Sequence, residues 1–142
     1  MEYRKIYYRE DSDTDELFEF QINFVMGEGS ICYSNNDGGY TTRGAKMKAQ
    51  ELEHFKLILD KGKPEKYRGG LPTENSFFKM DEFFWELTVD YTDGTPELQL
   101  GNRGEEALDV NKTYVIPAFV QELRTYALAK LGLEDSRRGK NV

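Results

Sequence analysis

The sequence predicts an α+β fold, a mainly antiparallel sheet of about five strands with two helices packed on one face, in the order β-β-β-α-β-β-α. Three observations predict it. Residues 18–24 and 83–91 alternate apolar and polar side chains with period two, as half-buried strands do. Residues 45–59 and 116–131 repeat apolar side chains three and four apart, as amphipathic helices do. The two patterns also recur as one unit: an aromatic strand, a Gly-containing turn, a second strand and a helix. It runs first over residues 17–62 and again over residues 83–132.

In chain order, residues 3–9 (YRKIYYR) alternate weakly and read as a first strand, with Tyr8 turned away from the main apolar stripe. The polar run through Asp11, Asp13 and Asp15 reads as a turn. Phe18, Phe20, Ile22 and Phe24 then share one face, with Glu19, Gln21 and Asn23 on the other. Such a strand needs a cover on one side and tolerates water on the other. Gly27, Glu28 and Gly29 turn the chain into a strand over residues 30–34. Residues 35–43 (NNDGGYTTR) have loop composition.

A helix is expected over residues 44–61, capped by Thr41 or Thr42 and buried through Ala45, Ala49, Leu52, Phe55, Ile58 and Leu59. Gly62 suits the left-handed position that ends it, and Pro64 cannot continue it. Residues 63–76 then form the longest connection, a candidate functional loop. In the strand over residues 83–91, Phe83, Trp85, Leu87, Val89 and Tyr91 alternate with Phe84, Glu86, Thr88 and Asp90. Asp93 and Gly94 make a hairpin turn, and Pro96 marks the strand through Leu98 and Leu100 as an edge. Pro117 opens the last helix, whose stripe is Ile116, Phe119, Val120, Leu123, Ala127 and Leu131. Gly132 ends it. One domain is expected over residues 1–133, with residues 134–142 (EDSRRGKNV) as a disordered tail.

Composition narrows function. Aromatic side chains make up 13% of the chain, far from the profile of a disordered protein. A net charge of −7 disfavours direct nucleic-acid binding, which relies on Lys and Arg. The same charge suits a protein partner with a basic surface. Cys32 is the only cysteine, so no internal disulfide forms. The residue lies in a strand and reads as a buried, inert thiol. No stretch approaches the roughly 20 apolar residues of a membrane span. A cytoplasmic location is expected.

Two residue groups are candidate sites. Gly39, Thr41, Thr42, Arg43, Gly44 and Lys46 lead into the expected first helix. Free N–H groups and the helix dipole favour an anion at such a position. The spacing from Gly39 to Gly44 is that of a phosphate-binding loop, but the residues that follow, Ala45, Lys46 and Met47, break the Gly-Lys-Ser/Thr signature. The second group is acidic: Asp11, Asp13, Asp15, Glu16, Asp90, Asp93, Glu105 and Glu106. Gathered on one face, they would imitate the charge of a nucleic-acid backbone and fill a basic channel. Asp11, Asp13 and Asp15 also open like a calcium loop, but Glu16 stands where that loop needs Gly and Ile22 where it needs Glu. No metal and no cofactor is expected. His54, the only histidine, has no adjacent partner for base chemistry.

The segment WELTVDYTDG, with the Gly and the Pro-led helix after it, resembles a unit in small uncharacterised proteins of Gram-positive bacteria and their phages. The resemblance implies no activity. The reading of the whole chain is a non-enzymatic protein-binding or inhibitor protein of bacterial or phage origin. It would act through an acidic and aromatic surface on a nucleic-acid-processing or defence protein, with a homodimer as a further option. The alternative is a phosphate- or nucleotide-binding protein or enzyme that uses the Gly-rich segment.

Overall fold

Strands whose apolar side chains share one face pair into a single sheet that buries that face. The computed structural model describes residues 2–12, 17–34, 40–68, 77–80, 83–101 and 114–131. The elements are β1 (Tyr3–Ser12), β2 (Leu17–Asn23), β3 (Glu28–Ser34), β4 (Tyr40–Lys46), α1 (Ala49–Gly62), a 3-10 turn (Pro64–Tyr67), β5 (Phe77–Met80), β6 (Phe83–Tyr91), β7 (Leu98–Gly101), β8 (Tyr114–Pro117) and α2 (Ala118–Leu131). Six strands form an antiparallel sheet in the order β4-β3-β2-β1-β6-β7, and β5 pairs with β8 in a separate ribbon. The two hairpins β2–β3 and β6–β7 therefore extend outward from opposite sides of β1.

Register follows the apolar pattern. Ile6 stands opposite Ile22 and Val89, and Tyr8 opposite Phe20 and Leu87. Leu87 and Val89 face Leu100 and Leu98 in turn. All of these are buried, together with Phe55, Ile58 and Leu59 of α1 and Phe119, Val120, Leu123, Ala127 and Leu131 of α2. Both helices thus cover the same sheet face. Full burial of each large apolar side chain stabilises by roughly 1.5–3 kcal/mol, so a one-residue slip that exposed a strand's whole set would be prohibitive.

The weak alternation of β1 has a local cause. Tyr3 pairs with Tyr91 but Lys5 pairs with Asp90, so the extra residue Arg4 forms a bulge. The bulge puts Tyr3 and Ile6 on the same face despite their odd spacing. It also overturns the expected orientation of Tyr8, which is fully buried on the apolar face.

A polar cluster is embedded in that face. Glu10 is the one buried charged residue among those described. Arg124 of α2 reaches it with two hydrogen bonds, Nε to Oε2 and Nη2 to Oε1, each 2.7 Å. The Tyr8 hydroxyl donates to Glu10 Oε2 at 2.6 Å, and the guanidinium lies 5.3 Å from the centre of the Phe18 ring. Burial first, and then the Glu10 charge, pushes the Tyr8 phenol well above its ordinary pKa, so it stays a donor. The sheet is tied to α1 and the 3-10 turn in the same way. Tyr3 donates to Asp60 and Tyr91 to Glu65, each at 2.7 Å.

Several details differ from the sequence reading. The first helix begins at Ala49, not residue 44, because residues 40–46 form β4. Its start is held by Glu51, whose Oε1 accepts the Lys48 N–H at 2.8 Å, and not by Thr41 or Thr42. Its left-handed end residue is Lys63 (φ 49°), not Gly62. Gly62 serves packing instead: a Cβ there would lie 2.4 Å from Phe119 Cβ, so only glycine lets α2 approach this closely. Cys32 is half-buried on the open sheet face. Of the expected connection over residues 63–76, residues 64–67 form the 3-10 turn. Residues 69–76, Gly132 and residues 134–142 lie outside the described residues.

The buried pair yields a stability test. Arg124→Met keeps most of the stem but leaves the Glu10 carboxylate buried without its counter-charge. It is expected to cost about 3–5 kcal/mol in urea unfolding at neutral pH. Adding Glu10→Gln, which removes that charge and keeps an acceptor for Tyr8, should recover much of the loss. A wild-type urea midpoint for Arg124→Met alone would show that the pair does not hold α2 to the sheet.

Candidate functional site

The segment with the composition of a Gly-rich loop is the edge strand of the sheet. Thr41 and Thr42 are β-branched and favour extended backbone, and the segment pairs in full with β3, from Tyr40 opposite Ser34 to Lys46 opposite Glu28. Beyond the strand, the Met47 N–H donates to Gly27 O at 2.8 Å. In an antiparallel ladder this bond sets the phase of every neighbouring pair. Residues 41, 43 and 45 turn their backbone groups toward β3. Thr42, Gly44 and Lys46 turn theirs outward, away from the sheet. Among the described residues no strand pairs with that outer side.

The opposite edge is guarded. β7 has only four residues. At its start Arg68 donates Nη2 to Pro96 O at 2.8 Å and Nη1 to Glu97 O at 3.2 Å. Glu65 holds this guanidinium through two further bonds of 2.8 and 2.7 Å. Among the described residues the two edges therefore differ in length and in their contacts, and only β4 presents a long run of outward backbone groups.

Beside β4, on the open face of the sheet, lies a shallow polar basin of about 520 Å³. Gln21, Asn23, Ser30 and Lys46 line it, and Gly44 leaves it open toward the edge by having no side chain. Lys46 Nζ sits 3.1 Å from Glu28 Oε1 on the same rim. Asn23 Oδ1 accepts the N–H groups of Val25 and Met26, which shapes the β2–β3 turn and leaves both apolar side chains exposed. A second concavity of about 430 Å³ runs between α1 and α2. There the His54 ring packs at a tilt against Tyr126, 4.1 Å between centroids. Gln121 Oε1 is buried in its wall with no hydrogen-bond partner among the described residues.

The structure separates the residues that the sequence groups as candidate sites. Thr41, Thr42, Arg43, Gly44 and Lys46 all lie on β4, and Gly39 lies outside the described residues. They form no helix N-terminus, which is two residues further on and already faces the carboxylate of Glu51. The geometry that suggested an anion cradle is thus replaced by a strand edge. Of the acidic group, Asp13, Asp15, Glu16, Glu105 and Glu106 lie outside the described residues. Asp11 lies near the end of β1, opposite Leu17 and Phe84.

Asp90 lies 3.6 Å from Arg4. Asp93 accepts the Thr95 hydroxyl, the Thr95 N–H at 3.0 Å and the Glu2 N–H at 3.2 Å. The Thr95 bonds, and then that from Glu2, hold its carboxyl below the ordinary aspartate pKa. Both carboxylates are committed to internal contacts. Among the described residues no cluster of His, Cys, Asp or Glu could hold a metal ion, and no helix is long and apolar enough to cross a membrane.

No protein-family model matches this chain, and no curated protein matches it.

The edge assignment is checked by amide hydrogen exchange in the free protein. The N–H groups of Thr42, Gly44 and Lys46 should exchange far faster than those of Thr41, Arg43 and Ala45, in strict alternation along β4. Uniform protection along the strand would show that its outer side is covered.

Proposed function

We propose that this chain is a non-enzymatic protein-binding protein, of the inhibitor type suggested by its sequence, that engages its partner by accepting a strand along β4. One observation carries the reading: a seven-residue edge strand whose outward backbone groups are unpaired among the described residues, in a sheet whose other edge is short and capped by Arg68. Outward N–H and C=O groups are a template for an added strand. Each backbone hydrogen bond so formed contributes about 0.5–1.5 kcal/mol net. Exposed Val25 and Met26, in the turn next to the Lys46 end of β4, supply apolar contact beside the ladder.

This reading moves the weight away from the expected acidic surface, because Asp90 and Asp93 serve Arg4 and the β6–β7 connection. It is also preferred to a phosphate or nucleotide site in the basin beside Gly44. The helix N-terminus that would hold such an anion lies beyond the strand and already faces the Glu51 carboxylate.

Proline substitution provides the test. Thr42→Pro and Gly44→Pro remove outward N–H groups that no neighbouring strand uses, a placement edge strands tolerate. A partner captured from bacterial lysate by the wild type should be lost by the double variant, whose urea midpoint stays close to wild type. The same partner should be retained by Ala129→Asp in the wall of the helical cleft. Equal retention by the proline variant, with loss in Ala129→Asp, would place binding between the helices and overturn the reading.

A further inference from the structure

The edge differs in charge from the protein that carries it. The chain has a net charge of −7, yet residues 40–48 contain Arg43, Lys46 and Lys48 and no Asp or Glu. We infer that the strand added to β4 is an acidic one, an extended segment with a carboxylate directly opposite Lys46 and a second opposite Arg43. This rests on the strand-addition reading above and specifies its partner.

The ladder phase sets the positions. Lys46 and Gly44 project onto the open face and Arg43 onto the helix face, since Arg43 pairs with buried Ile31. In an antiparallel ladder, like every pair of this sheet, residues opposite positions 46 and 43 are three apart in the partner, with side chains on opposite faces. Directly opposite side chains have Cβ atoms about 4.5–5.5 Å apart, close enough for an ion pair. The Lys46 ammonium is exposed and lies 3.1 Å from Glu28, and Arg43 also has a contact within the chain, so the added carboxylates share both cations with groups already beside them. A partner side chain opposite Gly44 meets no Cβ and lies over the basin, where Gln21, Asn23 and Ser30 offer polar atoms.

The same charges disfavour a second copy of this chain as the occupant. Pairing β4 with β4 brings two copies of Arg43 and Lys46 onto one ladder with no acidic residue on either strand. Like charges across a ladder are destabilising, and basic side chains on an edge are a common protection against self-association. The edge is therefore selective: closed to itself and open to an acidic strand.

A displayed library of random nine-residue peptides, sorted against the wild type and the Thr42→Pro/Gly44→Pro variant, tests this. Peptides that need the free edge should be rich in Asp and Glu, with carboxylates three residues apart. Lys46→Glu should weaken them by about two- to fivefold, the loss of a cross-strand ion pair. Edge-dependent peptides with no acidic preference, or indifferent to Lys46→Glu, would overturn the acidic partner while leaving strand addition in place. Peptides that bind the proline variant as well as the wild type, or no enrichment at all, would overturn both. A dimer of the free protein that the prolines abolish would name a second copy as the occupant and overturn the inference.

Discussion

Burial on one face of the sheet is the constraint on which the remaining features depend. Ile6, Tyr8, Phe20, Ile22, Ile31, Trp85, Leu87 and Val89 are all fully or almost fully buried, and all project from the same side. Side chains alternate along each strand, so this arrangement fixes the register of β1, β2, β3 and β6 together. It also forces both helices onto that side, where Phe55, Leu59, Val120 and Leu123 complete the core. The polar face and two edges are left over. Even the buried charge obeys the constraint: Glu10 points into the apolar side, and its position is tenable because Arg124 and Tyr8 meet it there.

The asymmetry of the two edges comes from how the hairpins extend. β6–β7 ends in a four-residue strand against which the 3-10 turn packs, with Arg68 bonded to the Pro96 and Glu97 carbonyls just before it. The other hairpin continues into β4, a strand with almost no apolar side chains to bury. β4 contributes little to the core, so its composition is free to serve another purpose. Its Thr, Gly, Arg and Lys residues suit an edge exposed to water and selective about what pairs with it.

Much of this is legible in the sequence, and the exceptions have local physical causes. The alternation of β2 and β6 and the apolar stripe of α2 are clear, because one face of each is fully buried. β1 is only weakly legible because the bulge at Arg4 breaks its period. β4 reads as a loop and helix start because an edge strand need not alternate apolar and polar residues. Its strand signal is confined to Tyr40, Thr41 and Thr42, next to a glycine pair. Gly62 reads as a helix end because the sequence cannot show that Phe119 lies against it. The candidate site is legible as a segment and not as a geometry: Thr41 to Lys46 stand out in the sequence, but as an anion cradle.

The central claim, that β4 receives an added strand, is tested most directly by nuclear Overhauser contacts between isotope-labelled protein and a bound acidic peptide. Antiparallel addition predicts contacts between the peptide Hα atoms and those of Thr41, Arg43 and Ala45, the residues of the non-hydrogen-bonded pairs on that side. The amides of Thr42, Gly44 and Lys46 should gain exchange protection at the same time. Contacts confined to His54, Tyr126 and Ala129, with the β4 amides unchanged, would contradict it and place binding between the helices.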